Sequence, residues 1–327
     1  MKTLGFYPYQ RFSIDQKISE EEKHQENLAE FMREPIYQFK GDGWSFIVSR
    51  DSLVQYHNDD FEVFSEEIDA TWETENLADA KSHETVWLSY LTHLNVVYFL
   101  LECSMHLNVN ISAFEFFELT YLDTTRITYD QGKPIRQANY GGKDLNQMIR
   151  LGDYKPENNE GFPHFVLPIS VIDDLCNYYM VKIFNDNERV NLLHRVAKSL
   201  SEHNLRNYDN SLVMSWFILE TYINDEWEKL LAIKEITGKR KKILQGRDYT
   251  ASVKTEILET HGVITPDRYE SLNKIRKVRN AIAHNFGSRS ATKQESSEAL
   301  ILVQEIIGEH LELNLAYQTH GTPVHGL

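Results

Sequence analysis

Large apolar residues fall at Leu212, Trp216, Leu219, Ile223, Trp227 and Leu230, at intervals of four, three, four, four and three. At 3.6 residues per turn these six side chains share one face of a helix, whereas a strand would divide them between two faces. The stripe predicts one long amphipathic helix from about Asp209 to Lys234. Such a face has to be covered, and the sequence that follows supplies partners. A basic connection runs from Lys239 through Arg247, and a shorter helix is predicted over Ala251–Thr260. Thr265 as cap and Pro266 in the first turn open a third helix. Its expected buried face is Leu272, Ile275, Val278 and Ile282, and Asn285 to Gly287 is its expected stop. A last helix is expected from Thr292 to Leu313. Four main helices in about 110 residues make a compact α-helical bundle.

Residues 1–205 read differently, as an acidic α+β region, so the expected division is 1–205 and 206–327. Glu20 to Arg33 reads as a helix stopping before Pro35. Ile36–Lys40, Gly41-Asp42-Gly43 and Trp44–Val48 read as a β-hairpin around a glycine turn. A helix is expected over Ser82–His106, with Ser82 as N-cap, and a strand within Glu118–Tyr129. Gln131 to Pro168, with its Gly, Pro and Asn residues, reads as loop. Two more helices are expected over Ser170–Phe184 and Asn187–Ser201, making the whole chain mainly α.

The most hydrophobic stretch, Val86 to Leu101, holds Ser89, Thr92, His93 and Asn95 and is too short and polar to span a bilayer. It reads as a buried helix, so no membrane association is expected. Cys103 and Cys176 form no CxxC and no disulfide framework; two buried thiols in a reducing cytoplasm are the expectation. The histidines show no HExxH or other ligand spacing, and no Walker-type GxxxxGK[ST] occurs. No metal and no cofactor are therefore predicted. The net charge is −15, but residues 206–290 hold 15 Lys and Arg against 11 Asp and Glu. That local balance of +4 singles out the C-terminal segment as the part suited to a polyanion.

Within that segment the chain reads Arg279-Asn280-Ala281-Ile282-Ala283-His284. Arginine is always charged and presents a fork that fits phosphate, and histidine moves protons near neutral pH. With 15 arginines and 13 histidines in 327 residues, Arg-x4-His arises by chance about 0.6 times. It does arise again, at Arg189 and His194, where valine replaces the polar neighbour and the surroundings read as an ordinary amphipathic helix. Following Val278, Arg279 is expected about 100° round the helix from the apolar face, and His284 another 140° round and about 7.5 Å along. One copy therefore does not stack the two side chains, and the spacing favours a composite site between two copies of the helix.

The long aromatic-bearing helix, the basic connection and the helix ending in Arg279-Asn280-x-x-x-His284 together resemble the HEPN family of α-helical RNases. The wording Ser215-Trp216-Phe217-Ile218-Leu219-Glu220-Thr221-Tyr222-Ile223 is similar to its Apea-like branch. The resemblance covers about residues 206–315. It implies a homodimer joining two Arg-polar-x-x-x-His motifs, metal-independent endoribonuclease activity, and a toxin-like or antiviral role. Arg279, Asn280 and His284 match the three motif positions, and Glu220 stands where the family often has an acidic residue.

The chemistry is coherent on its own terms. RNA supplies the 2′-OH nucleophile; Arg279 offers paired donors to the phosphate, His284 moves the proton, and Asn280 orients a histidine or bonds the phosphate. Products would be a 2′,3′-cyclic phosphate and a 5′-OH, from RNA and not DNA. Arg276, Lys277, Lys241 and Lys242 are candidates for contacts to the RNA backbone. A regulatory protein or antitoxin is a further expected partner. Two alternatives stand beside this reading: a non-catalytic HEPN-like module that binds RNA or protein, and an N-terminal functional unit that the bundle merely dimerises.

Overall fold

The computed structural model describes residues 2–8, 12–24, 26–59, 77–109, 116–120, 123–130, 133–138, 165–284 and 289–317. The chain is mainly α with a small antiparallel sheet. It forms two compact units, 1–194 and 195–327. The division falls within a single helix, Asn187–Asn204, rather than after residue 205.

The first unit is built on strands β1 (Lys2–Phe6), β3 (Pro35–Lys40), β4 (Trp44–Ser49), β5 (Val54–Asn58), β6 (Thr124–Asp130) and β7 (Lys133–Ala138), ordered β3-β4-β5-β1-β6-β7 with antiparallel neighbours throughout. A separate parallel pair joins β2 (Phe12–Ile14) to β8 (Phe165–Leu167). The β3–β4 hairpin is as expected. Gly43 has a left-handed φ of 71°, and a Cβ on Gly41 would stand 2.1 Å from the Trp44 ring, so both glycines are needed.

Several boundaries differ from expectation for physical reasons. Glu20–Arg33 is two short helices, α1 (Glu20–Lys23) and α2 (Leu28–Arg33), of which only Leu28 and Met32 are buried. The polar residues between them give a continuous helix no face to pack. The stretch expected as loop contains β7 and β8, while residues 139–164 of it lie outside the described residues. Pro134 is tolerated in β7 because that strand closes the sheet at its edge. The strand expected within Glu118–Tyr129 starts only at Thr124.

Helix α3 (Leu77–Val109) begins five residues before Ser82, which is therefore not its cap. Leu94 and Val96 through Leu101 are buried on every side, as a helix apolar all round must be. The Tyr90 hydroxyl donates to the Tyr56 carbonyl and accepts from the Leu4 amide at 3.0 Å, tying α3 to the sheet. No helix among the described residues is long and apolar enough to cross a membrane. Helix α4 (Ile169–Asp174) continues through a π-helical segment, Leu175–Met180, into α5 (Val181–Ile183), and α6 (Asn187–Asn204) follows. Cys103 and Cys176 are buried and form no disulfide among the described residues.

The second unit contains the end of α6 and helices α7 (Tyr208–Ile233), α8 (Gly238–Leu244), α9 (Ala251–Thr260), α10 (Pro266–His284) and α11 (Lys293–Leu311). All six stripe residues of α7 are buried. The basic connection is helical at its start, as α8, whose Leu244 carbonyl accepts from Trp227 Nε1 at 3.1 Å. Thr292 caps α11 with a reciprocal Thr292–Glu295 box. Thr265 Oγ1 accepts from the Arg268 amide at 3.3 Å at the start of α10. The stop expected at Asn285–Gly287 lies outside the described residues.

Where α6, α7 and α11 meet, the buried side chains are small and polar. Ser199 Oγ donates to the Ser211 carbonyl and lies 2.8 Å from Ser215 Oγ; Ser296 Oγ lies 2.9 Å from Ser211 Oγ and 2.8 Å from His203 Nδ1. The serines allow close helix approach, and the linked hydroxyls satisfy one another. Ser296 is 0% and His203 1% exposed, so this is a structural network, closed to any substrate.

Candidate active site at the end of α10

The face that α10 buries is not quite the one its apolar residues suggest. Leu272 and Ile275 are buried, but Val278 and Ile282 are only half-buried. Arg279 lies one heptad beyond Leu272, within about 20° of the same direction. It therefore continues the inward stripe instead of standing 100° away from it. The spacing Arg268, Leu272, Ile275, Arg279 places an arginine at each end of that stripe.

The two arginines have different surroundings. Arg268 donates to Glu309 Oε1 at 2.9 Å, an ion pair that raises its pKa, the Glu309 hydrogen bond being the largest cause. Arg279 has no carboxylate partner among the described residues. Its Nη1 donates to Asn280 Oδ1 at 3.1 Å, and its Cζ stands 5.7 Å from the centroid of the Phe217 ring on α7. The neighbouring amide and the aromatic face hold a half-buried guanidinium whose charge no carboxylate among the described residues balances. Asn280 thus orients the arginine, a role the sequence reading did not give it.

His284 is exposed at the last position of α10 and makes no hydrogen bond or ion pair among the described residues. Four residues separate it from Asn280, which puts those two on adjacent turns of one face. It stands about 140° and 7.5 Å from Arg279 along the helix. The second Arg-x4-His pair is engaged elsewhere: Arg189 pairs with Asp186 at 3.3 Å and donates to the Lys182 carbonyl, while His194 Nε2 lies 3.1 Å from Glu118 Oε1.

The other candidates divide. Arg276 directs Nε and Nη2 to Asn273 Oδ1, at 3.2 and 2.6 Å. Lys277 is exposed on the motif helix. Lys241 is paired with Glu228 Oε2 at 3.0 Å, and Lys242 is exposed beside it on α8. Glu228 lies eleven residues beyond Phe217 on α7, about 16 Å along the axis. The structure therefore keeps Arg276, Lys277, Arg279, Asn280 and His284 on one helix and sets Lys241 and Lys242 well away. Glu220 is half-buried on α7, three residues from Phe217.

Phe217 escaped the sequence reading because it lies off the apolar stripe to which its neighbour Trp216 belongs. The available signal was a large aromatic residue one position off that stripe. Among the described residues no group of three or more His, Cys, Asp or Glu side chains is placed to hold a metal ion. No family model, curated protein or solved structure matches the chain. What the site does has to be argued from its own chemistry.

Proposed function

We propose that the chain is a cytoplasmic, metal-independent endoribonuclease of HEPN type, with Arg279, Asn280 and His284 as its working residues. The observation that carries this reading is the unbalanced cation: a half-buried arginine, pre-oriented by Asn280 and Phe217, with no carboxylate partner among the described residues. Such a group is an anion site in waiting, and its fork matches the non-bridging oxygens of a phosphodiester.

With the phosphate on Arg279, the imidazole of His284 takes the 2′-OH proton as that oxygen attacks phosphorus. The P–O5′ bond breaks, and the proton returns from an imidazolium to the leaving 5′-oxygen. The fragments carry a 2′,3′-cyclic phosphate and a 5′-OH. Negative charge that accumulates on the phosphorane is met by the guanidinium, whose loss is expected to lower the rate about 10²–10³-fold.

The angular gap between Arg279 and His284 supports a site completed by a second copy. Val278 and Ile282, both half-buried, supply an apolar face for that contact next to the motif. The acidic first unit then serves as sensor, restraint or docking point for a regulatory protein or antitoxin, and the biological role is toxin-like or antiviral. One observation favours the alternative, a non-catalytic RNA-binding module: no described residue orients the His284 ring.

Purified protein incubated with mixed cellular RNA in EDTA separates the two. Wild type is expected to leave cyclic-phosphate ends, His284→Ala none, and Arg279→Ala few. If His284→Ala cuts as fast as wild type, the site assignment is wrong. If both bind RNA and neither cuts it, the module is a binder.

A further inference from the structure

Phe217 is at odds with its neighbours on α7. Trp216 and Ile218 on either side are buried, yet Phe217 is 52% exposed. The ring nevertheless has a neighbour, the Arg279 guanidinium, whose Cζ stands 5.7 Å from its centroid. Covering the core does not account for a side chain that leaves half its surface in water. Supporting Arg279 accounts for only the part of the ring under the guanidinium.

A phenyl face next to a guanidinium that has no carboxylate partner among the described residues offers, within one nucleotide's reach, the two groups that bind single-stranded nucleic acid: a cation for the phosphate and a π-surface for the base. We propose that Phe217 is the nucleobase platform of this site, stacking the base adjacent to the phosphate held by Arg279. The inference rests on the nuclease reading above and gives it a substrate class, single-stranded RNA. In a duplex the bases are stacked on each other and unavailable to the ring. Because every base has a π-face, the platform selects unpaired nucleotides and is indifferent to which base they carry.

The test uses the full chain carrying His284→Ala, so that the probe survives, and fluorescence anisotropy with a labelled oligouridylate at fixed salt. In that background Phe217→Leu is expected to weaken binding about 10- to 100-fold, the size of one lost stack. Phe217→Trp should bind as tightly as the parent or more so. An oligomer of abasic sites, with the same phosphates and no bases, should bind the parent and the Leu variant alike.

Equal affinity of parent and Leu variant for oligouridylate overturns the proposal. So does an abasic oligomer that distinguishes them, because the ring would then act only through Arg279. A shift from dimer to monomer in light scattering on Phe217→Leu also overturns it, reassigning the ring to the subunit contact. If the parent binds no RNA, the nuclease reading itself fails. If wild type cuts RNA while Phe217 variants bind alike, the platform alone fails.

Discussion

Arginines in the C-terminal unit are neutralised to different degrees, and the differences sort structure from chemistry. Arg268 has Glu309, Arg289 has Glu295, and Arg279 has an amide and a ring. A second residue in an unusual state lies in the other unit. Glu102, on α3, is buried, its Oε1 has no hydrogen-bond partner among the described residues, and burial pushes its carboxyl up to about 8, the Tyr98 hydroxyl opposing the shift. A carboxyl raised on folding is protonated in the native state over a range in which the unfolded chain has already ionised it. Stability therefore falls as pH rises from about 4.5 to about 8, by at most about 1.4 kcal/mol per pH unit, and levels off above that window. Glu102→Gln keeps the shape without the charge. It is expected to flatten this dependence and to raise the urea midpoint of the first unit at pH 8 while changing little at pH 4.5. Parallel pH profiles for the two proteins would show that Glu102 ionises freely in the fold.

Helix contacts in the second unit rest on the α7 stripe and on the serine cluster joining α6, α7 and α11. Ser296→Ala removes only the hydroxyl and with it the bonds to Ser211 and His203 Nδ1. It is expected to cost roughly 1–3 kcal/mol, read as a lower urea midpoint for the 195–327 unit; an unchanged midpoint would mean these hydroxyls contribute packing alone. The stripe was legible in the sequence because Trp, Leu and Ile at helical spacing leave few other structures open. The serine cluster was not, since serine carries no hydrophobic signal and bonded partners such as His203 and Ser296 lie 93 residues apart. β5 was missed for a related reason. Val54 to His57 are all buried, so polar Gln55 and His57 sit inside, and no in–out alternation marks the strand. On α10 the reading chose Val278 and Ile282 because they are apolar, while the inward direction passes through Arg279. A hydrophobic stripe drawn from sequence omits the arginine that completes it, and here that omission fell on the candidate site.

Charge is divided unevenly over the whole molecule. Residues 1–194 hold 16 Lys and Arg against 32 Asp and Glu, and residues 195–327 hold 18 against 17. The candidate nuclease unit is thus close to neutral, and the net negative charge resides in the first unit. With His284→Ala in both, the 195–327 fragment is expected to bind single-stranded RNA more tightly than the full chain at low salt, with the gap closing as salt rises. Equal affinities at about 50 mM salt would remove the electrostatic case for restraint by the first unit. The place of Arg279 on the inward stripe also bears on stability. Leucine there would carry the run of Leu272 and Ile275 one turn further, at about 25 cal/mol for each Å² of apolar surface covered. Folding alone therefore rewards the loss of this arginine. Arg279→Leu is expected to make the second unit sturdier while stripping the candidate site of its cation.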